Sequence, residues 1–156
     1  MLERKEVTWF PAYGAEIRGG TANCTVIISD VMIGSPVVLN PDILVAMNKA
    51  SLDKFQSSLK PGGIFFFDSS LVRNPVLRGD IRSIAVPATK IAGSIGNTKS
   101  ANMVMLGALI AEAAVLKKSS IMTTFEGPSG YMVNIGSKMN TSSILEGMKY
   151  IEDSKS

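Results

Sequence analysis

The tetrad Lys60-Pro61-Gly62-Gly63 does most to limit what this chain can fold into. Proline cannot continue a helix and paired glycines favour a tight turn, so regular structure must stop there. Upstream, Leu52, Phe55 and Leu59 recur at helical spacing and predict a helix over 48–59, with Ser51 as its N-cap. Before that helix, Pro41 and Asp42 open an apolar run, 43–47, of strand length. Downstream, Ile64-Phe65-Phe66-Phe67 is apolar at every position, as a strand covered on both faces must be, and it ends at Asp68-Ser69-Ser70. Strand, helix, turn and strand in this order make a βαβ unit, with its nearly invariant right-handed crossover. The fold class that follows is α/β, a three-layer α/β/α Rossmann-like domain with a mixed or mostly parallel sheet. With 156 residues the chain fits a single domain, 1–156, carrying a C-terminal helical extension over about 131–156. Ligands on open α/β sheets gather beyond the carboxyl ends of the strands. That rule puts Met47-Asn48 and Asp68-Ser69-Ser70 on one rim.

The remaining segments read as follows. Residues 7–10 (Val-Thr-Trp-Phe) form a strand stopped by Pro11. Residues 22–29 are a continuous β-favouring run, predicting a central strand with Cys24 as an inert core thiol. A short edge strand is expected over 36–39 and another strand over 81–86. The connection bearing Arg73, Arg78 and Arg82 reads as a solvated face, with binding of an acidic partner or a phosphate as the alternative. Helices are expected over 89–95, 119–125 and 137–153. The segment 101–116 is apolar all round, which places it at the domain's centre or against another subunit. An α/β domain that opens on a strand and a long loop, rather than strand, glycine turn and helix, is expected to lack its first βα unit.

The loop between the first two strands carries the strongest functional signal. It reads Tyr13-Gly14-Ala15-Glu16-Ile17-Arg18-Gly19-Gly20. Its glycines let backbone N–H groups approach a ligand closely, and an arginine among them can grip a phosphate bidentately. Arg18 therefore leads the candidates for anion binding, against an ion pair with Glu16 or with a partner's carboxylate. Glu16 suits capping or loop bracing. Tyr13 can stack on a ligand or anchor the loop. For Asn48, Ser69 and Ser70, ligand contact and helix capping stand equally open. Asn102 is placed to start its helix, with ligand contact as the alternative.

Two absences narrow the chemistry. The chain has no histidine, so no imidazole serves as general base or metal ligand. It has one cysteine, whereas an iron–sulfur cluster is held by four thiolates. The net charge of +3, with neither a run of basic residues nor interleaved aromatics, does not point to nucleic acid. The first eight residues include four charged side chains and lack the apolar segment of a signal peptide, and the longest apolar run falls short of the ~20 residues that span a bilayer. No membrane partner is expected, and the cytoplasm is the expected compartment.

The stretch Val-Thr-Trp-Phe-Pro-Ala-Tyr-Gly-Ala-Glu-Ile-Arg-Gly-Gly-Thr-Ala-Asn-Cys, residues 7–24, resembles the signature of the gamma subunit of 2-oxoacid:ferredoxin oxidoreductases, most closely the 2-oxoglutarate type. Further similarities follow in order: Ile33-Gly34-Ser35-Pro36, Ala46-Met47-Asn48, Ser51-Leu52-Asp53-Lys54-Phe55, Lys60-Pro61-Gly62-Gly63, Ser69-Ser70-Leu71, Pro87-Ala88-Thr89, and Gly96-Asn97 leading to Asn102-Met103-Val104. The resemblance covers about residues 5–116, and Asn140 and Gly147 fit the family's closing helix. Family members begin with a strand, a Gly-x-Gly-Gly-Gln-Gly turn and a helix, and this chain shows neither the turn nor that helix.

The resemblance implies a subunit of a complex that oxidatively decarboxylates a 2-oxoacid to an acyl-CoA and passes electrons to ferredoxin. It implies thiamine diphosphate, Mg2+ and [4Fe-4S] clusters in the complex, none of them bound by this chain alone, and coenzyme A as substrate. It implies alpha and beta subunits, and a ferredoxin-like delta subunit, as partners. No residue of this chain is expected to be catalytic or to bind a metal. Its part is assembly and coenzyme A binding, with Tyr13, Gly14, Glu16, Arg18, Gly19, Gly20, Asn48, Ser69, Ser70 and Asn102 as contact residues for coenzyme A or a neighbouring subunit. The alternative reading is a stand-alone nucleotide- or anion-binding α/β module without redox activity.

Overall fold

The computed structural model describes residues 3–12, 22–126 and 137–155. Its centre is a three-stranded parallel sheet in the order β3-β4-β5, made of Ile43–Ala46, Ile64–Asp68 and Arg82–Val86. The middle strand, β4, is the all-apolar run expected to be buried: Phe65 and Phe66 have no solvent exposure. Each such ring contributes roughly 1.5–3 kcal/mol by leaving water. The two faces of β4 feed two cores. Phe65 and Phe67, with ring centroids 5.9 Å apart, pack with Leu52, Leu59 and Val72. Phe66 faces the other way, into Val86, Val104, Met105, Ala108 and Ile151.

Helix α1 (Lys49–Phe55) links β3 to β4 and covers the first face through Leu52. The turn after it closes as its sequence requires. Gly63 N–H donates to Lys60 O at 2.9 Å, and Gly62 takes φ +75°, a conformation glycine adopts without strain. On the opposite face lie α2 (Ala88–Ser94), α3 (Ala101–Ala113) and α5 (Ser137–Ser154). Short 3₁₀ turns, Gln56–Ser58 and Thr98–Ser100, follow α1 and precede α3. The three layers α1, sheet, and α2 with α3 and α5 are the expected α/β/α arrangement.

Helix α3 carries apolar residues on most of its circumference because it touches structure on more than one side. It packs on the sheet through Val104, Met105 and Ala108, and Ile110 joins a cluster with Ile121 and Phe125 of α4 (Lys118–Glu126) and Ile144 and Met148 of α5. It stops at Ala113, short of residue 116, where Ala114 turns left-handed at φ +50° and donates its N–H to Ile110 O. Against α5 the fit reaches backbone. A methyl carbon on Gly107 would lie 2.0 Å from Ile144 O, and one on Gly147 would lie 1.9 Å from Val104 O. The two helices thus cross through reciprocal glycine notches.

The first two strands depart from expectation. Strands β1 (Glu6–Ala12) and β2 (Asn23–Ser29) pair only with each other among the described residues, as an antiparallel ribbon, so 22–29 is not a central strand. None of the described residues from 3 to 40 is buried, and Cys24 is exposed rather than a core thiol. Residues 36–39 form no strand. Helix α1 ends at Phe55, and its N-cap is Asn48, whose side chain accepts from Ser51 N at 2.8 Å; Ser51 is not the cap.

The arginine-bearing connection is also more than a solvated face. Arg78 is half-buried and donates through Nη1 to the carbonyls of Gln56, Ser57 and Leu59 at 2.9, 3.3 and 2.8 Å. Those carbonyls belong to the end of the α1 unit, where helical N–H donors run out; the Gln56 carbonyl also accepts from Leu59 N at 3.3 Å. Its Nε and Nη2 donate to Asp80, which holds the Asp80 carboxyl below the usual carboxylate range. Arg82 pairs with Glu112 of α3, as does Lys155 at 2.7 Å, and the Glu112 side chain is only 3% exposed.

Candidate functional site

The parallel sheet ends on one rim at Ala46-Met47-Asn48, Asp68-Ser69-Ser70 and Val86-Pro87-Ala88. The chemistry of this rim starts with Pro87, the residue that precedes α2. Proline offers no side-chain acceptor for the free N–H groups of a helix's first turn. The neighbouring strand supplies them instead. Asp68, fully buried, accepts from Thr89 N at 3.1 Å and Thr89 Oγ1 at 2.5 Å through Oδ2, and from Ser70 N at 2.9 Å through Oδ1. Ser70 Oγ accepts from Lys90 N at 3.1 Å. Ser69 N–H donates to Val86 O at 2.9 Å and extends the β4–β5 pairing. The buried carboxylate thus ties two strand ends and one helix start into a single rigid corner.

Asn48 and Ser70 therefore serve as helix caps. Asn102 stands in the first turn of α3, exposed, with Oδ1 accepting from Met103 N at 3.0 Å. Helix α3 runs antiparallel to the strands, because Glu112 near its end pairs with Arg82 at the start of β5. Its thirteen residues span about 20 Å at ~1.5 Å per residue, enough to return to the rim. Asn102 accordingly lies at the same end of the domain as Asn48, Ser69 and Ser70. Among the described residues, the hydroxyl of Ser69 and the amide nitrogens of Asn48 and Asn102 carry no hydrogen bond at this end. Tyr13, Gly14, Glu16, Arg18, Gly19 and Gly20 lie outside the described residues. The ends of that loop are held side by side, since Ala12 pairs with Asn23 at the last position of the ribbon.

Sequence reasoning missed Thr89, which joins the Asp68 corner, and the clamp made by Arg78. A Pro-Ala-Thr run at a strand-to-helix junction was the available signal for the first. At the other end of the molecule, Glu3 Oε1 accepts from Lys117 N at 2.8 Å. The Ser120 hydroxyl, with this backbone donor, holds the Glu3 carboxyl below its ordinary range.

Residues 1–136 match the profile of the family described as pyruvate ferredoxin/flavodoxin oxidoreductase. The chain belongs to this family. Among relatives, it is 45% identical over 109 residues to ketoisovalerate oxidoreductase subunit VorA of Methanothermobacter thermautotrophicus, a match covering 70% of this chain and 22% of VorA. It is 36% identical over 123 residues to 2-oxoglutarate synthase subunit KorC of Methanocaldococcus jannaschii, covering 78% of this chain and 66% of KorC. The chain therefore spans under a quarter of the length of VorA and just under two thirds of KorC. In a crystal structure, the gamma subunit of the keto/oxoacid ferredoxin oxidoreductase of Geobacter sulfurreducens shares the fold, with TM-score 0.73 and 27% identity over 97% of this chain and 83% of that one. The 2-oxoglutarate:ferredoxin oxidoreductase of Magnetococcus marinus, solved with 2-oxoglutarate, coenzyme A and succinyl-CoA bound, shares the fold at TM-score 0.75 and 23% identity, over 96% of this chain and 26% of that one. Family membership bears out the family read from the motifs, and its relatives include both ketoisovalerate- and 2-oxoglutarate-named subunits. Among the described residues, no helix is long and apolar enough to cross a membrane.

Proposed function

We propose that this chain is the gamma subunit of a 2-oxoacid:ferredoxin oxidoreductase, contributing to assembly and to coenzyme A binding. The observation that carries the proposal is the agreement of the family match over residues 1–136 with the fold of a gamma subunit over nearly the whole chain. The complex oxidatively decarboxylates a 2-oxoacid, joins the acyl group to coenzyme A and delivers electrons to ferredoxin. Thiamine diphosphate, Mg2+ and [4Fe-4S] clusters fall to the alpha, beta and ferredoxin-like delta subunits. This chain's residues do not fit a cluster, since it offers one thiol where four are needed.

For coenzyme A, the rim supplies a rigid corner with open donors at Ser69, Asn48 and Asn102, and the glycine loop supplies Arg18 for a phosphate. The motifs favour 2-oxoglutarate as the oxoacid. The 45% identity to VorA favours ketoisovalerate as the competing substrate.

The test is co-purification with the thiamine-binding and cluster-binding chains, followed by dye reduction that depends on both oxoacid and coenzyme A. A fully active complex without this chain would remove the proposal. Arg18→Ala should raise the KM for coenzyme A at least tenfold and leave that for the oxoacid unchanged. Equal loss of both would assign Arg18 to assembly instead.

A further inference from the structure

The rim carries positive charge that the fold does not use. A cation in the first turn of a helix faces the positive end of the helix dipole, and a nearby carboxylate is what normally offsets it. Lys49 in the first turn of α1 follows this rule, paired with Asp53 at 2.8 Å. Lys90 does not. It stands in the first turn of α2, which holds no acidic residue, and among the described residues its ammonium has neither a carboxylate nor a hydrogen-bond partner. Lys99, just before α3, is in the same position, and the first turn of α3 holds no acidic residue either. The carboxylate of the corner, Asp68, is buried and spent on Thr89 and Ser70. At the other end of the sheet the pattern reverses, since Lys60, Arg78, Arg82 and Lys155 each sit on a carboxylate. A side chain that breaks a local rule without a structural return points to function.

The backbone fixes where Lys90 stands. Its N–H donates to Ser70 Oγ at 3.1 Å, which holds it beside the residue that follows Ser69. Thr89 N donates to Asp68, and Ile91 N to Pro87 O at 2.9 Å, so the N–H groups of three successive residues at the start of α2 are already taken. An anion arriving at this corner therefore meets side chains and not the helix terminus. The groups left for it are the exposed Lys90 ammonium and the open Ser69 hydroxyl. After α2 the chain folds back along the helix. Asn97 N donates to Ala92 O at 3.0 Å, and the Thr98 methyl lies against Gly93, one turn after Lys90. Lys99 follows at once and brings a second exposed ammonium to this part of the domain.

We infer that Lys90, with Lys99 as its companion, reads the phosphates of coenzyme A at the rim and so sets specificity for the nucleotide half of that substrate. An ammonium on a flexible stem suits a phosphate as a mobile point charge, and it needs no fixed geometry from the helix. The inference rests on the coenzyme A reading and adds residues that neither spacing nor motif singled out. The competing claim on the same charge is a carboxylate of a neighbouring subunit.

The test uses the co-purified complex, with coenzyme A and the oxoacid varied separately. Lys90→Gln should raise the KM for coenzyme A about fivefold or more, with kcat and the KM for the oxoacid held within about twofold. Adding Lys99→Gln should raise it further, and Lys90→Arg should restore it. The KM for coenzyme A of the unmodified complex should climb as potassium chloride is raised, and that climb should be flatter in the double glutamine variant, which a purely structural role would not produce. Lys60→Gln, at the opposite end of the sheet, should alter neither KM. An unchanged KM for coenzyme A in the double variant would overturn the inference. So would a loss of co-purification by that variant, which would give the two lysines to a partner's carboxylates. If Arg18→Ala raises the KM for coenzyme A while the double variant does not, the coenzyme A reading stands and the inference falls. A complex equally active without this chain would instead refute the gamma-subunit reading, and the inference with it.

Discussion

Replacing Gly147 by alanine should destabilise this chain, although alanine is the better helix former. The new methyl carbon would lie 1.9 Å from Val104 O and 3.1 Å from Ala108 N, both backbone atoms of α3. Backbone cannot swing aside as a side-chain tip can, so α3 and α5 must move apart. That loosens the contacts of Val104, Ala108, Ile144 and Met148, all fully or almost fully buried. Overpacking of a tight core costs about 1–3 kcal/mol and occasionally more, and a clash this short belongs at or above the upper end. Alanine recovers up to roughly 1 kcal/mol of helix propensity. The net loss is then about 2 kcal/mol, which for a domain of this size lowers Tm by roughly 4–8 °C. The matched control is Gly93→Ala in α2, where the added carbon meets only Thr98 Cγ2 at an ordinary 3.6 Å. It should be neutral or stabilising by up to about 1 kcal/mol. Thermal and urea unfolding followed by circular dichroism would measure both. Equal stability of the Gly147→Ala and Gly93→Ala variants would refute the backbone contact between α3 and α5.

Three further outcomes follow from the side-chain network. Asp68→Ala should cost about 2–4 kcal/mol in urea unfolding, because it strips the acceptor from Ser70 N, Thr89 N and Thr89 Oγ1 in a buried corner. Arg82→Ala or Lys155→Ala alone should cost under about 1 kcal/mol, since each leaves Glu112 another cation. The double variant should lose about 3 kcal/mol, more than the sum, because a nearly buried carboxylate is then unpaired; additivity in a double-mutant cycle would refute the shared pairing. The Asp80 carboxyl, held low by Arg78, has a folded pKa below its unfolded value. Its contribution is present above the unfolded value and disappears as pH falls through the folded one. The stability gap between the wild type and Arg78→Ala should therefore narrow below about pH 4. A residual gap should remain from the three carbonyls that Arg78 clamps, and a gap constant from pH 7 to pH 3 would contradict the assignment.

The parallel sheet was legible in the sequence because its signals are unconditional. An all-apolar Ile64–Phe67 run can only be buried, and Pro61-Gly62-Gly63 can only turn. The run from Thr25 to Ile28 is as β-favouring, yet β propensity reports a strand and not its neighbours. Nothing local distinguishes a central strand from a strand of an exposed two-stranded ribbon. Both Asn48 and Ser51 are good capping types three residues apart, and the geometry chose the first, with its oxygen over Ser51 N. Arg78 reads as surface because a clamp on carbonyls twenty residues upstream leaves no mark in spacing. At the rim, the expected convergence of Met47-Asn48 with Asp68-Ser69-Ser70 is present, because strand ends follow from strand order. The roles within it depended on Pro87, whose missing side-chain acceptor makes Asp68 and Ser70 into caps and leaves Ser69 open.

The central claim is that this chain works as the gamma subunit of an oxoacid-oxidising complex. The most direct measurement is oxoacid- and coenzyme A-dependent dye reduction by the complex reconstituted with and without this chain, run with 2-oxoglutarate and ketoisovalerate in parallel. The account predicts acyl-CoA formation that requires the chain, with one of the two oxoacids strongly preferred. The same rate of acyl-CoA formation in its absence would contradict it.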